Sequence, residues 1–281
     1  GGLSAKGFLP VQISKKRIVN KGIETPFINR FCYAKPETVG MSSNLLNKID
    51  SVANYSIQKL MTPGIQILVA REGKVIYNKN FGYHTYDKKI RVTDSSIYDV
   101  ASLTKILATL PVVMSMEEKN ILNLEDSLAN LLPDYKDSNK SGITLKSMLS
   151  HYSKLQPWIP FYLKTIDSIS KKPLKKLYHD IESEDYPTKV ANQMYLAKHY
   201  KDTIYRTIKT SELLPNLEYK YSDLPYYILK DYIESYYNID LNLLVDQLLF
   251  IPIGANYTSY LPLKKKLSNI VPTEVDSYFR H

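Results

Sequence analysis

A serine three residues ahead of a lysine, Ser102-Leu103-Thr104-Lys105, stands where an extended aromatic approach, Ile97-Tyr98-Asp99-Val100-Ala101, gives way to an apolar run. On a helix, positions i and i+3 share a face, so the Ser102 hydroxyl and the Lys105 amine come within hydrogen-bond reach. A lysine in a first helical turn feels the positive end of the helix dipole, and desolvation disfavours its cation further, so its pKa is expected to fall. The neutral amine then takes the serine proton, the general-base half of nucleophilic catalysis. The Ser102 backbone N–H, aimed into the same space, is a natural donor to a tetrahedral oxyanion. Spacing alone is not specific, because Ser56-Lys59 and Ser168-Lys171 repeat it, and a capped helix with a lysine reaching out to water is the commoner outcome of such a pair. The apolar residues after Ser102 set it apart: Ile106, Leu107, Leu110, Val113 and Met114 read as the buried stripe of a helix. Ser56 falls in the last turns of an amphipathic helix, and Ser168 in a polar segment.

Val100-Ala101-Ser102-Leu103-Thr104-Lys105 resembles the nucleophile motif of the serine beta-lactamase and penicillin-binding protein superfamily, in its class C and esterase-like branch. Thr144-Leu145-Lys146-Ser147-Met148-Leu149-Ser150-His151-Tyr152-Ser153-Lys154-Leu155 is similar to the stretch before that branch's active-site wall, where the family usually has glycine in place of Lys154. Tyr221-Ser222-Asp223 is similar to the second motif, tyrosine, any residue, asparagine, and Phe250-Ile251-Pro252-Ile253-Gly254-Ala255 matches the helix exit that comes after it. The resemblance covers roughly residues 35–280, and the order of its motifs is more specific than any one of them.

The resemblance implies an α/β (α+β) fold of the beta-lactamase/transpeptidase type: an antiparallel sheet with flanking helices and a mostly helical part. It implies a serine hydrolase acting on an amide or ester, of beta-lactamase, cell-wall peptidase or esterase type, through an acyl-serine. Beside the Lys105 ammonium the phenolate of Tyr221 is favoured, so the two share one proton and neither is the sole base. Asp223 departs from asparagine: an amide donates and accepts, whereas an ionised carboxylate only accepts, which puts recognition of a substrate amide in doubt. Trp158, the only tryptophan, reads either as a lining of the substrate pocket or as a buried anchor. Ser102, Lys105 and Tyr221 are thus the catalytic candidates, with Asp223 and Trp158 the substrate-binding ones.

The family's third motif, a lysine or histidine followed after a spacer by glycine, and its second oxyanion donor lie on strands that come after the helical part. No such motif precedes His281. The expectation is therefore a partial module lacking its C-terminal strands, with an unpaired edge at 65–71 open to association, and with activity impaired. One missing oxyanion donor costs roughly a hundred- to a thousandfold in rate. Whether such a chain is an active enzyme is left open, and the alternative is a non-catalytic accessory module.

Residues 7–13 read as a short strand resembling the closing residues of a family 3 glycoside hydrolase, with 18–36 a linker. The organisation expected is a tail and linker over 1–36, then a partial module over 37–281, divided into a helix and hairpin (37–100) and a mostly helical part (101–281). A covalently fused glycosidase is the partner this implies.

Periodicity gives the elements that position the site. A helix over 42–60, capped by Ser42 or Ser43, carries Leu45, Leu46, Ile49, Val52, Ala53 and Leu60 as its buried stripe. Strands 65–71 and 74–81 form a hairpin around Glu72-Gly73, with Ile65, Ile67 and Val69 facing that helix. Pro111 predicts a kink or tightening in the nucleophile helix. Short helices are expected before Pro133 and over 145–151, an irregular Lys- and Tyr-rich insertion over 156–214, and helices over 227–237 and 241–250.

The 281 residues carry a net charge of +9, spread through Lys15-Lys16-Arg17, Lys171-Lys172, Lys175-Lys176 and Lys264-Lys265-Lys266. No nucleic-acid motif accompanies the charge, so no nucleic-acid partner is expected. A basic face suits an anionic envelope or polymer, and a small-molecule or peptidoglycan-derived substrate in a periplasmic or cell-envelope setting is expected, although Gly1-Gly2-Leu3-Ser4 is not a signal peptide. Cys32 is alone and the five histidines lack ligand spacing, so neither metal nor other cofactor is expected. No apolar stretch has membrane length.

Overall fold

The computed structural model describes residues 8–9, 23–24, 31–262 and 269–273, and its chain divides into two units, one running to Asp99 and including 269–273, the other beginning at Val100. In the first unit, β1 (Phe8–Leu9) pairs antiparallel with β2 (Ile23–Glu24). Phe8–Leu9 is the described part of the strand expected at 7–13, and Ile23–Glu24 together with residues 31–36 is the described part of the linker expected at 18–36. The remainder of both up to residue 30, the runs at 15–17 and 264–266, and residues 274–281 lie outside the described residues.

A three-stranded sheet comes next, with β3 (Cys32–Tyr33) at one edge. Ser42 caps the helix as expected, its Oγ accepting the Leu45 N–H at 3.4 Å. The single helix predicted over 42–60 is broken at Asn47 into α1 (Ser43–Leu46) and α2 (Lys48–Gln58). That break resets the helical phase. Leu46 and Ala53 are buried and Ile49 half-buried, while Leu45, Val52 and Leu60, expected in the stripe, are exposed.

β4 (Gly64–Arg71) and β5 (Lys74–Gly82) form the predicted hairpin. Glu72 and Gly73 have φ of 53° and 70°, the left-handed pair of a type I′ turn, whose twist matches that of the strands. β5 is central, parallel to β3 and antiparallel to β4, so β4 forms an edge among the described residues. Ile67 and Val69 pack with Leu46, Ile49 and Ile76. Asp50 ties α2 to the sheet, accepting from Tyr77 Oη at 2.5 Å and from Lys79 Nζ at 2.7 Å. Within the same unit Ile97 forms a parallel bridge with Ile270.

The second unit opens with the nucleophile segment. Ala101 has φ 43°, and successive turns return the N–H groups of Leu103, Thr104 and Lys105 to Val100, Ala101 and Ser102, each at 3.0 Å. Residues Lys105–Thr109 are a π-helical stretch in which the Leu110 N–H reaches back to Lys105 O, and α3 (Leu110–Glu118) begins after it with Pro111 in its first turn. Proline offers no N–H to the carbonyl four residues earlier, so the ladder changes register ahead of it. The buried stripe changes accordingly: Ala108, Val112, Val113 and Met116 are buried, whereas Ile106, Leu107 and Met114 are exposed.

α4 (Leu128–Leu131) and α5 (Leu145–Leu149) come after it, the latter capped by Thr144, whose Oγ1 accepts the Ser147 N–H at 3.2 Å. The insertion read as irregular contains an antiparallel sheet of β6 (Tyr178–His179), β7 (Thr188–Ala191) and β8 (Met194–Leu196), in the order β6-β8-β7. It encloses its own small cluster of Leu177, Ala197 and Tyr200. Then come α6 (Tyr200–Thr210), α7 (Leu224–Tyr237) with Pro225 in its first turn, and α8 (Leu241–Val245), which runs into a second π-helical stretch, Asp246–Phe250. Met116, Leu128, Leu145, Met148, Leu224 and Ile228 form the centre of one cluster, each at most 1% exposed. At about 1.5–3 kcal/mol per buried side chain, this cluster anchors the segments that carry the chemistry.

Candidate functional site

Ser102 is exposed, and its Oγ lies 3.0 Å from Lys105 Nζ. The spacing predicted this contact, although it arises from a tight turn leading into a π-helical stretch and not from a regular α-helix. Ala101 supplies the strain of that turn, since a left-handed non-glycine residue costs roughly 1–2 kcal/mol.

Lys105 reaches a second segment of chain. Its Nζ is 2.6 Å from Asp223 Oδ1, with the lysine side chain 14% exposed and the carboxylate 41% exposed. It also lies 5.3 Å from the centroid of the Tyr221 ring and 5.5 Å from that of Tyr226. The structure thus brings Ser102, Lys105, Tyr221 and Asp223 together. The electrostatics overturn the expectation of a depressed lysine: burial disfavours the ammonium, but its hydrogen bonds to Asp223 and Tyr221 and their charge outweigh it, so Lys105 is held above the usual lysine value.

The 219–223 segment is fixed from behind. Ser222 is fully buried, donates from Oγ to Gln156 O at 2.6 Å, and accepts the Leu224 N–H at 3.2 Å. The Asp223 N–H donates to Pro157 O at 2.8 Å. Trp158, next in sequence, is 58% exposed. The buried-anchor reading of Trp158 is therefore wrong, and its indole faces solvent.

His151 and Tyr226 join the site without having been singled out from sequence. The imidazole sits 4.7 Å, centroid to centroid, from the Tyr221 ring, and its Nδ1 accepts the Ser222 N–H at 3.3 Å. Burial, reinforced by the charge of Lys105 and opposed by Asp223, pushes its pKa below the usual histidine value. The signal for His151 was its place in the 144–155 stretch; Tyr226 was hidden among 24 tyrosines. Among the described residues, no group of three histidines, cysteines or carboxylates could hold a metal ion.

Residues 54–267, more than half of the chain, match the profile of the beta-lactamase family. The chain belongs to that family. It is 28% identical over 242 residues to a putative D-alanyl-D-alanine carboxypeptidase of Salmonella heidelberg (strain SL476), an alignment covering 83% of this chain and 51% of the relative. It is 30% identical over 135 residues to Protein flp of Staphylococcus aureus (strain NCTC 8325 / PS 47), covering 47% of this chain and 26% of that protein. The chain thus spans between about a quarter and a half of the length of these curated relatives.

Among solved structures, this beta-lactamase-family chain is similar to the octameric penicillin-binding protein homologue from Pyrococcus abyssi, with a TM-score of 0.60 and 20% identity over 80% of this chain and 47% of that one. It is also similar to a class C beta-lactamase in complex with cefoxitin, with a TM-score of 0.59 and 17% identity over 83% and 58% of the two chains. The shared fold is of the beta-lactamase/transpeptidase type.

One departure from the family pattern has a local explanation. Lys154, at the position where the family usually has glycine, has φ 59°, a left-handed conformation that glycine adopts without strain.

Proposed function

We propose that this chain carries the acylation centre of a serine hydrolase that cleaves an amide or ester, with a small or peptidoglycan-derived substrate in the cell envelope. The observation that carries the reading is the 3.0 Å contact between Ser102 Oγ and the partly buried Lys105 Nζ. Family membership, with relatives that include a putative D-alanyl-D-alanine carboxypeptidase and a class C beta-lactamase in complex with cefoxitin, supports amide chemistry.

In this reading Ser102 Oγ forms a bond to the substrate carbonyl carbon and gives up its proton to the Lys105–Tyr221 pair. Asp223 biases the proton shared by that pair toward Lys105. The Ser102 backbone N–H donates to the oxyanion. The collapsing intermediate expels the amine or alcohol with that proton, and water releases the acyl group. Exposed Trp158 offers the substrate an aromatic surface next to the 221–223 motif.

The test is covalent labelling with intact mass as the readout. A fluorophosphonate or a penicillin should add one acyl or phosphonyl group to the wild-type chain and none to Ser102→Ala. Equal labelling of the two proteins would place the nucleophile elsewhere and end the proposal.

A further inference from the structure

His151 lies just beyond α5 and has φ 61°, a left-handed turn that brings the chain back under the 219–223 segment. It grips that segment on both sides of Tyr221. Its carbonyl accepts the Lys220 N–H at 2.9 Å, and its ring Nδ1 accepts the Ser222 N–H at 3.3 Å. Between these two bonds the imidazole faces the Tyr221 ring at 4.7 Å with a 47° tilt. The position of the phenol relative to Lys105 is thus referred to one residue, through its carbonyl and its ring.

A backbone N–H can only donate, so a ring nitrogen that accepts from it carries no proton; the neutral imidazole has its hydrogen on Nε2. Protonation places a second N–H on Nδ1, facing the Ser222 N–H, and turns an attraction into a clash of two donors. It also sets a cation beside the Lys105 ammonium.

We propose that neutral His151 is a positioning residue that holds Tyr221 against Lys105, and that protonation of this imidazole loosens that hold and slows acylation of Ser102. The proposal rests on the acyl-serine reading above for its kinetic consequence, but not for its structural one.

The groups facing the ring are Tyr219, Tyr221 and Asp223 from the gripped segment, Tyr226 from α7, and Lys105 from the π-helical stretch. Only Asp223 favours the imidazolium; burial and Lys105 oppose it. Loss of His151 does not free the whole segment, because Ser222 Oγ remains bound to Gln156 O and the Asp223 N–H to Pro157 O. The consequence is misalignment, not unfolding, and an ångström of misplacement costs roughly a hundredfold in rate.

Two variants of the full chain separate the roles. His151→Asn keeps a carbonyl oxygen near the Nδ1 position but does not titrate; His151→Ala removes the acceptor. The rate of fluorophosphonate labelling is measured against pH, with circular dichroism as the check on folding. Wild type should show an acid limb below the usual histidine range. His151→Asn should label at a rate near that of wild type at neutral pH with that limb removed, and folded His151→Ala should label roughly a hundredfold more slowly than wild type at neutral pH, the gap closing below the wild-type acid limb.

An unchanged acid limb in His151→Asn, with Asp223 still present, overturns the proposal, as does full-rate labelling of His151→Ala. The second readout is the NMR shift of the Ser222 amide, which should track the titration of the His151 ring in wild type. A chain that is never labelled overturns the acyl-serine reading alone, whereas a Ser222 amide indifferent to His151 protonation overturns the positioning role alone.

Discussion

Asp223 Oδ1 stands 2.6 Å from Lys105 Nζ, so the residue that departs from the family's asparagine is bound directly to the amine beside the nucleophile. An asparagine there offers a carbonyl dipole; a carboxylate offers a full charge and stabilises the ammonium far more strongly. The substitution therefore bears on proton transfer at Ser102 as well as on what the site recognises.

Asp223→Asn should lower the pKa of Lys105, since the carboxylate is among the groups that hold it up and the opposing effect, burial, remains. The rising alkaline limb of the Ser102 labelling rate should move to lower pH, the direction expected when an adjacent opposite charge is removed. At neutral pH the variant should label faster than wild type. A limb that stays in place would mean that Asp223 does not set the protonation of Lys105.

Lys105→Ala should reduce labelling by roughly a hundred- to ten-thousandfold, the usual worth of a positioned acid or base. Stability should change little, because the Asp223 side chain is 41% exposed and truncation of Lys105 opens its buried Oδ1 to water. Thermal unfolding measured alongside labelling separates the two effects. A variant that keeps its labelling rate removes Lys105 from the mechanism.

Local chemistry was legible from sequence where a few neighbouring residues decide it. Glu72-Gly73 gives the type I′ turn, Ser42 and Thr144 give their caps, and the i, i+3 spacing gives the Ser102–Lys105 contact. Phase was misread wherever the ladder changes register: Asn47 splits the first helix, and the π-helical stretch before Pro111 turns Ile106 and Leu107 outward. Strands β6 to β8 are too short for a two-residue period to show. The protonation of Lys105 was read with the wrong sign because it depends on a carboxylate distant in sequence, whereas the dipole and desolvation arguments used only its neighbours.

Asp50 links acid stability to the first unit. Hydrogen bonds from Lys79 and Tyr77 hold its carboxyl below the usual aspartate value, against a smaller desolvation effect. A carboxyl depressed in the folded state contributes stability that is present above its unfolded pKa and is lost as pH falls through the folded value. Asp50→Asn should therefore flatten the fall in stability below about pH 4, near the unfolded aspartate value, as monitored by thermal unfolding at a series of acid pH values. Parallel curves for the two proteins would show that the carboxyl titrates alike in both states.

Lys154→Gly should stabilise the second unit. At φ 59° a lysine carries a left-handed penalty of roughly 1–2 kcal/mol, which glycine escapes, while the looser unfolded chain of glycine returns about 0.5–1 kcal/mol. The net expectation is a rise in Tm of a few degrees at most, with the Lys154 O bond to the Leu214 N–H retained. A fall in Tm would show that the lysine side chain holds the turn by contacts that outweigh its backbone strain.

Lys140 is fully buried, and its ammonium donates to Asn139 Oδ1 at 2.8 Å, to Lys209 O at 3.1 Å and to Ser211 O, fastening the 138–141 loop to the end of α6. Lys140→Met fills similar space but takes a donor from three oxygens, of which Ser211 O still accepts from Asn139 Nδ2 at 3.1 Å, at about 1–3 kcal/mol for each group left unsatisfied. Part of that loss is offset because the wild-type charge is itself buried, which pushes the Lys140 pKa down to about 8. A lysine whose folded pKa lies below its unfolded value binds fewer protons in the folded state over that interval. Stability therefore rises with pH between about 8 and the ordinary lysine value of 10.5. The stability gap between wild type and Lys140→Met should accordingly widen from pH 7 to pH 10 in denaturant titrations. A gap that is constant across this range would show that three oxygen acceptors hold the folded-state pKa near its unfolded value, with hydrogen bonding outweighing burial at this lysine.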